Sequence, residues 1–212
     1  MTTREIGRVD HLIYGTPDLE ATVDELASTL GLRATIGGQH PGEGTRNALF
    51  SLGPGRYLEI MAPDPSQPDP DGPRWLGIDD LTSARMVAWA AKSDDLASLS
   101  LHAAQGGIEL GPILSGGRVR PDGSHLSWRL TDPRQWIADG VVPFFIDWGG
   151  GAHPSESAIE GLSLVAFRIE HPDHAYVGSV LEQLGLETPV DPGIRPALVA
   201  TLKTPLGLIE LT

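Results

Sequence analysis

The chain has 212 residues, 40% hydrophobic and 20% charged, enough apolar material for one large domain or two small ones. With 15 basic against 28 acidic side chains, the formal net charge is −13, which argues against a nucleic-acid partner or an anionic membrane, both of which require a cationic surface. The absence of cysteine excludes disulfides, thiolate zinc sites and cysteine nucleophiles, and with no signal-like or membrane-length apolar run the chain is expected in the cytoplasm.

In chain order, Val9 to Thr16 (VDHLIYGT) reads as a short β-branched strand that Pro17-Asp18 breaks. Asp18 is placed to cap a helix whose Leu19, Val23, Leu26 and Leu30 recur at helical spacing, and Gly31 ends it. Arg33 to Ile36 follows, then a glycine-rich loop, GGQHPGEGTRN, from Gly37 to Asn47. Strands are predicted at Ala48 to Leu52 and Arg56 to Ala62, separated by the turn Gly53-Pro54-Gly55. This is a β-α-β-β-β order over residues 8–64. Residues 65–83 form a linker, and Pro63 to Pro73, with five prolines and three aspartates, is expected to be exposed and unpacked.

The pattern returns over 84–155. Ala84 to Ala91 is a strand, Asp94-Asp95 caps a helix through Ala104, and strands are predicted at Ile108 to Leu114, Ser124 to Thr131 and Val141 to Trp148. A second glycine-rich loop, GGGAHPSES, starts at Gly149. A third, shorter copy spans 160–212. It has a strand at Leu162 to Ile169, a helix over His174 to Leu184 with Val177, Val180, Leu181 and Leu184 on one face, and strands at Ala197 to Lys203 and Leu206 to Leu211. His171-Pro172-Asp173 parallels Thr16-Pro17-Asp18, and Gly185-Leu186 parallels Gly31-Leu32. Recurrence of one supersecondary unit predicts an α+β fold of repeated βαβββ units forming incomplete barrels. Units one and two pair into a cup that can hold a ligand, and the third extends or covers the outer sheet.

Three stretches carry a family resemblance: DHLIYGTPDLEATVDELASTLGL at Asp10 to Leu32, GGQHPGEGTRNALFSLGPGRYLEIMAPD at Gly37 to Asp64, and LSWRLTDP with VPFFIDWG within Leu126 to Gly149. Over roughly residues 8–155 the chain resembles the glyoxalase-like domain family of the vicinal-oxygen-chelate superfamily. The resemblance is specific for the fold and weak for the reaction. Its members include glyoxalases, extradiol dioxygenases, epimerases, fosfomycin-modifying enzymes and metal-free drug-binding proteins.

The resemblance implies metal ligands on the first and fourth strands of each unit, here His11 and Glu59 from unit one. Strand alternation puts His11 with Val9 and Ile13, and Glu59 with Tyr57 and Met61, so a carboxylate sits between apolar neighbours. In unit two, Ala88 stands where His11 sits, and Asp147 is the fourth-strand candidate. The implied set is His11, Glu59 and Asp147, with zinc, iron, manganese or nickel as the divalent metal. Unit three offers only Ala166 and Glu210 at the matching places. His40, in its glycine-rich loop, is a candidate catalytic group beside Glu59, as a missing ligand or a proton shuttle. Asn47, Trp128, Arg129, Trp148 and His153 are candidate substrate-binding residues, Arg129 either clamping a carboxylate or pairing with Asp147. Both glycine-rich loops are expected to border the pocket.

No G-x-S-x-G elbow, Walker loop or dinucleotide fingerprint is present. Two functions follow. The first is a metal-assisted lyase, isomerase or dioxygenase acting on a small oxygen-rich molecule. The second is a metal-free small-molecule binding protein of the drug-sequestering kind. The partner in either is a small-molecule ligand, and a homodimer is left open.

Overall fold

The computed structural model of the protein describes residues 6–119, 123 and 125–212. The polar stretch Met1 to Glu5 and the first residue of the expected strand at Ser124 lie outside them. Unit one consists of β1 (Val9–Gly15), α1 (Leu19–Leu30), β2 (Thr35–His40), β3 (Thr45–Ser51) and β4 (Tyr57–Pro63). Asp18 caps α1 by accepting from the Ala21 amide, and Gly31 closes it in the left-handed conformation at φ 76°, where a side chain would be strained. Unit two repeats this with β5 (Arg85–Lys92), α2 (Leu96–Gln105), β6 (Ile113–Val119), β7 (His125–Thr131) and β8 (Phe144–Asp147). Asp95 caps α2 through the Ser98 amide.

The eight strands of the two units build one sheet in the order β2-β3-β4-β1-β5-β8-β7-β6. In each unit the first strand pairs in parallel with the fourth, and β1 pairs antiparallel with β5 at the centre. The two halves are therefore related by an approximate two-fold passing between β1 and β5. The sheet curves until its edge strands β2 and β6 approach each other, giving the expected cup.

The third unit, β9 (Ser163–His171), α3 (His174–Gln183), β10 (Val190–Pro192), β11 (Ala197–Thr204) and β12 (Gly207–Leu211), keeps the βαβββ succession but not the wiring. Its own sheet runs β10-β9-β11-β12, with β9 parallel to its immediate successor β10. It covers the helix side of the large sheet. Leu164, Phe167, Ile169 and Leu198 join Leu12, Leu26, Leu58 and Trp89 in one buried core, and Phe167 meets Trp89 edge-on at 5.1 Å. Truncating a fully buried ring such as Phe50 there should cost about 3–5 kcal/mol.

Several local expectations change. Most of the Gly37 to Asn47 loop is ladder: β2 and β3 pair through it and leave only a short turn before Thr45. The strand expected at Ile108 to Leu114 starts at Ile113 instead, while Ile108 and Leu110 are buried as irregular chain. The strand expected at Val141 to Trp148 is only Phe144–Asp147, since Pro143 has no N–H for a ladder. Within the stretch Pro63 to Pro73, expected to be exposed, Asp64 is buried, and the 65–83 linker packs at its far end. Leu76, Ile78 and Leu81 are buried against Ile13, Met61 and Ala88, so Trp75–Asp80 closes one end of the cup. Among the described residues no helix is long and apolar enough to cross a membrane.

Candidate functional site

The inner face of unit one is set by the pleat. On β4, Tyr57, Glu59 and Met61 point into the cup, and on β3 so do Asn47 and Leu49. On β1 the register slips between Val9 and His11. That bulge separates two residues expected on one face: Val9 joins the helix-side core, whereas His11 lines the cup. It also brings the Asp10 carboxylate alongside its own neighbour, where His11 Nδ1 contacts Oδ1 at 2.8 Å.

Asp10 is fully buried and accepts from three rings: His11, the Trp148 indole at 3.2 Å, and His153 Nε2 at 3.2 Å. Burial alone would raise the carboxyl, but the hydrogen bonds and charge of His11 and His153 outweigh it and hold Asp10 well below the usual carboxylate range. The His153 roles are fixed from its other side, where Nδ1 accepts from the Ser155 amide and leaves Nε2–H to donate. With Nδ1–H given to Asp10, His11 turns Nε2 toward Glu59 Oε2, 3.7 Å away. The Tyr57 ring stacks on His11 at 4.4 Å. Burial, then Glu59 and Asp10, push the Tyr57 phenol well above its ordinary value, so it stays protonated.

The other Glu59 oxygen, Oε1, accepts from Asn47 Nδ2 at 2.6 Å. His40 Nε2 lies 3.2 Å from that same amide nitrogen, and its Nδ1 lies 2.9 Å from Thr45 Oγ1. Burial lowers the His40 pKa against the pull of Glu59, with Arg118 reinforcing the lowering; a neutral ring accepting at Nε2 is consistent with the Asn47 contact. Two glycines of β2 make this packing possible. A Cβ on Gly37 would fall 2.0 Å from Asn47 Oδ1, and one on Gly38 would fall 2.8 Å from Arg118 Nη1. The glycine richness thus makes room for two of the protein's own polar side chains.

Unit two contributes a different inner face. Leu126, Trp128 and Leu130 from β7, and Phe144, Ile146 and Trp148 at β8, line the same cavity together with Trp75 and Arg118, a narrow space of about 40 Å³. Alternation then sends Asp147 outward. It pairs at 3.1 Å with Arg129, its register partner on β7, and accepts from the Gly149 amide. Both residues therefore leave the cup, and the structure does not bring Asp147 to His11 and Glu59. Asn47, Trp128 and Trp148 line the cavity with His11, His40 and Glu59, while His153 sits behind it on Asp10 with Pro154 at the rim. Of the two glycine-rich segments, the first supplies His40 and Asn47 to the wall and the second supplies Pro154.

The remaining donors do not make a metal site. Among the described residues no three His, Cys, Asp or Glu side chains gather to hold an ion. The Asn47 NH2 group stands against both Glu59 Oε1 and His40 Nε2, presenting hydrogens to the two atoms that would face a cation. The implied metal does not fit this arrangement. Sequence reasoning missed Asp10, Thr45, Tyr57, Trp75 and Arg118. For Tyr57 the signal was available, because it shares the Glu59 face by alternation.

No curated protein matches the sequence. Among solved structures, a hypothetical protein from Staphylococcus aureus superposes with a TM-score of 0.65 at 12% identity, covering 89% of this chain and 87% of that one. A methylmalonyl-CoA epimerase of Streptomyces coelicolor, solved with 2-nitronate-propionyl-CoA, gives a TM-score of 0.44 at 18% identity over 69% of this chain and 100% of its own. The Mycobacterium tuberculosis methylmalonyl-CoA epimerase gives 0.43 at 17% identity over 68% and 92%. The first likeness is one of fold. The family model described as a glyoxalase-like domain matches residues 9–185, reaching through α3 and beyond the 8–155 span of the sequence resemblance. With two βαβββ units closing a cup around His11 and Glu59, and a family match over most of its length, this chain belongs to the glyoxalase-like domain family.

Proposed function

We propose that the cup is a proton-transfer site for a small oxygen-bearing molecule, working without a metal. The observation that carries this reading is the alignment of Asp10, His11 and Glu59. A buried carboxylate fixes His11 Nδ1–H, so Nε2 faces Glu59 Oε2 across 3.7 Å, too long for a hydrogen bond between them. A ligand C–H or O–H can sit beside the pair, within reach of both atoms. Glu59 Oε2 takes the proton, and the electron pair of that bond stays on the ligand as an enolate or alkoxide. The proton returns from Glu59, or from His11 once it holds one, to the same or a neighbouring atom, an isomerisation with no net change in atoms or electrons. Asn47 holds Oε1 and so fixes which oxygen reacts, and the neutral Tyr57 phenol supports the His11 ring by stacking.

The alternative, sequestration of a ligand without chemistry, is favoured by one feature: the Trp75, Trp128 and Trp148 rings along the cavity wall. Exchange of the acidic C–H of phenylpyruvate into deuterated water, followed by NMR with a chelator present, separates the two readings. Proton transfer predicts accelerated exchange that is lost in Glu59→Gln. Exchange equal in both proteins, or present only after a divalent metal is added, overturns it.

A further inference from the structure

We propose that the ligand of this cup is a carbonyl compound with an apolar body of phenyl size, whose reacting end sits at Glu59 while the body rests in a second hollow, between the turn at Pro41 and the edge strand β6. This rests on the cup being the ligand site of the preceding section. The cavity beside His11, Asn47 and Glu59 measures about 40 Å³, room for roughly three water-sized atoms. That is enough for a carbonyl and the carbon next to it, and too little for a larger molecule. Beside it lies a hollow of about 160 Å³. His40, Trp75, Trp128 and Leu130 line both spaces, so a molecule seated at Glu59 that outgrows the cavity extends into the hollow.

The walls of the hollow decide what that extension is. Leu114, Leu130 and Pro41 bring apolar surface, and Trp75 and Trp128 bring two indole rings. Trp128 lies against the backbone of Gly116, its register partner on β6, where a Cβ would fall 2.5 Å from the ring. Glu43, the carboxylate of this wall, is already paired with Arg134 at 2.6 Å, and the Arg134 guanidinium stands 5.8 Å from the centre of the Trp75 ring. The rim is thus neutralised from within the protein, and an apolar group enters without leaving a charge unpaired. Trp75 marks the join of the two spaces. Its indole N–H is buried with no acceptor, and the chain after it is left-handed at Leu76, φ 58°. The ring is held by contacts with His40 and Arg134 and has no hydrogen bond to lose, so it can turn aside for a ligand that spans both spaces.

The test uses the intact chain and three probes that share one carbonyl acid and differ only in body: pyruvate, phenylpyruvate and naphthylpyruvate, with affinities read by ligand-observed NMR. The wild-type protein should prefer phenylpyruvate to pyruvate by about tenfold or more, from burial of the ring. Leu114 is half-buried on the edge strand and faces the hollow. Leu114→Trp fills that space and should remove the preference by weakening phenylpyruvate while pyruvate is unchanged. Leu114→Ala widens it and should raise the affinity for naphthylpyruvate relative to phenylpyruvate severalfold, a gain that misfolding cannot imitate. Equal binding of phenylpyruvate and pyruvate by the wild type overturns the proposal, as does a naphthylpyruvate preference that does not rise in Leu114→Ala, whatever Leu114→Trp shows. Body preference and C–H exchange are separate readouts. Lost exchange in Glu59→Gln with an intact preference for phenylpyruvate bears only on the proton-transfer reading, and a preference insensitive to Leu114 bears only on the hollow.

Discussion

The two halves of the cup share one wiring and divide its contents unequally. In unit one the inward positions of β1, β3 and β4 carry His11, Asn47 and Glu59; in unit two those of β5, β7 and β8 carry Ala90, Trp128, Leu130, Phe144 and Ile146. Duplicated backbones therefore do not imply duplicated chemistry. One half holds nearly all the titrating groups described at the cavity, and the other supplies an apolar wall with Arg118 at its edge. The low polarity of that wall strengthens the electrostatic contacts of the first half. Asp10 joins the two, since it sits on β1 and accepts from Trp148 and His153 of unit two.

That joint is where the largest effect is expected. Asp10→Ala leaves three ring donors without their acceptor and should cost about 3–5 kcal/mol, read as a lowered midpoint in denaturant. A loss below about 1 kcal/mol would mean that the halves are held together elsewhere. Next comes Gly37→Ala, whose methyl would overlap Asn47 Oδ1 and force the amide off Glu59. It should destabilise by about 1–3 kcal/mol and alter ligand affinity, whereas the same change at the open Gly42 should alter neither the cavity nor its affinity.

Asp64 supplies a comparison outside the cup. Burial would raise its carboxyl, but hydrogen bonds from Ser66, Gln67 and Gln39 bring it down to about 2. A depressed carboxyl contributes stability that is complete above its unfolded value near 4 and lost as pH falls toward 2. Proteolysis between residues 65 and 73 should therefore rise across that window and be insensitive to pH between 5 and 7. In Asp64→Asn the dependence should be absent. The smallest effect belongs to Asp147. Its pairing with Arg129 is partly exposed and outside the cup, so Asp147→Asn should shift stability by less than about 1 kcal/mol and leave ligand affinity unchanged. A large loss of ligand binding would place Asp147 in the site after all.

What was legible in the sequence was what depends on local period and punctuation. The Pro-Asp and Gly-Leu signals located α1 and α3, and alternation oriented Glu59 with Tyr57 and Met61 because β4 is regular from end to end. Two kinds of information were not local. The bulge between Val9 and His11 has no signature in VDHLIYG, so Asp10 was not seen as a neighbour of His11. The direction of Asp147 could have been read from FFIDW, since Phe144, Ile146 and Trp148 share the opposite face; matching it to Glu59 by rank in the repeat hid that alternation. The place of Arg118 in the cavity wall was invisible for another reason, as it depends on the closure that brings β6 against Gly38, 80 positions away in the chain.

The division of labour between the halves is tested most directly by measuring, on one bound carbonyl acid, both affinity and the exchange rate of the saturated complex in Glu59→Gln and Trp128→Leu. The account predicts that Glu59→Gln lowers the saturated rate by about 10²–10⁴-fold and leaves affinity within a few-fold, as expected for loss of a general base. Trp128→Leu should weaken affinity and leave the saturated rate nearly intact. The reverse pattern, with exchange carried by the tryptophan wall and binding by Glu59, would contradict it.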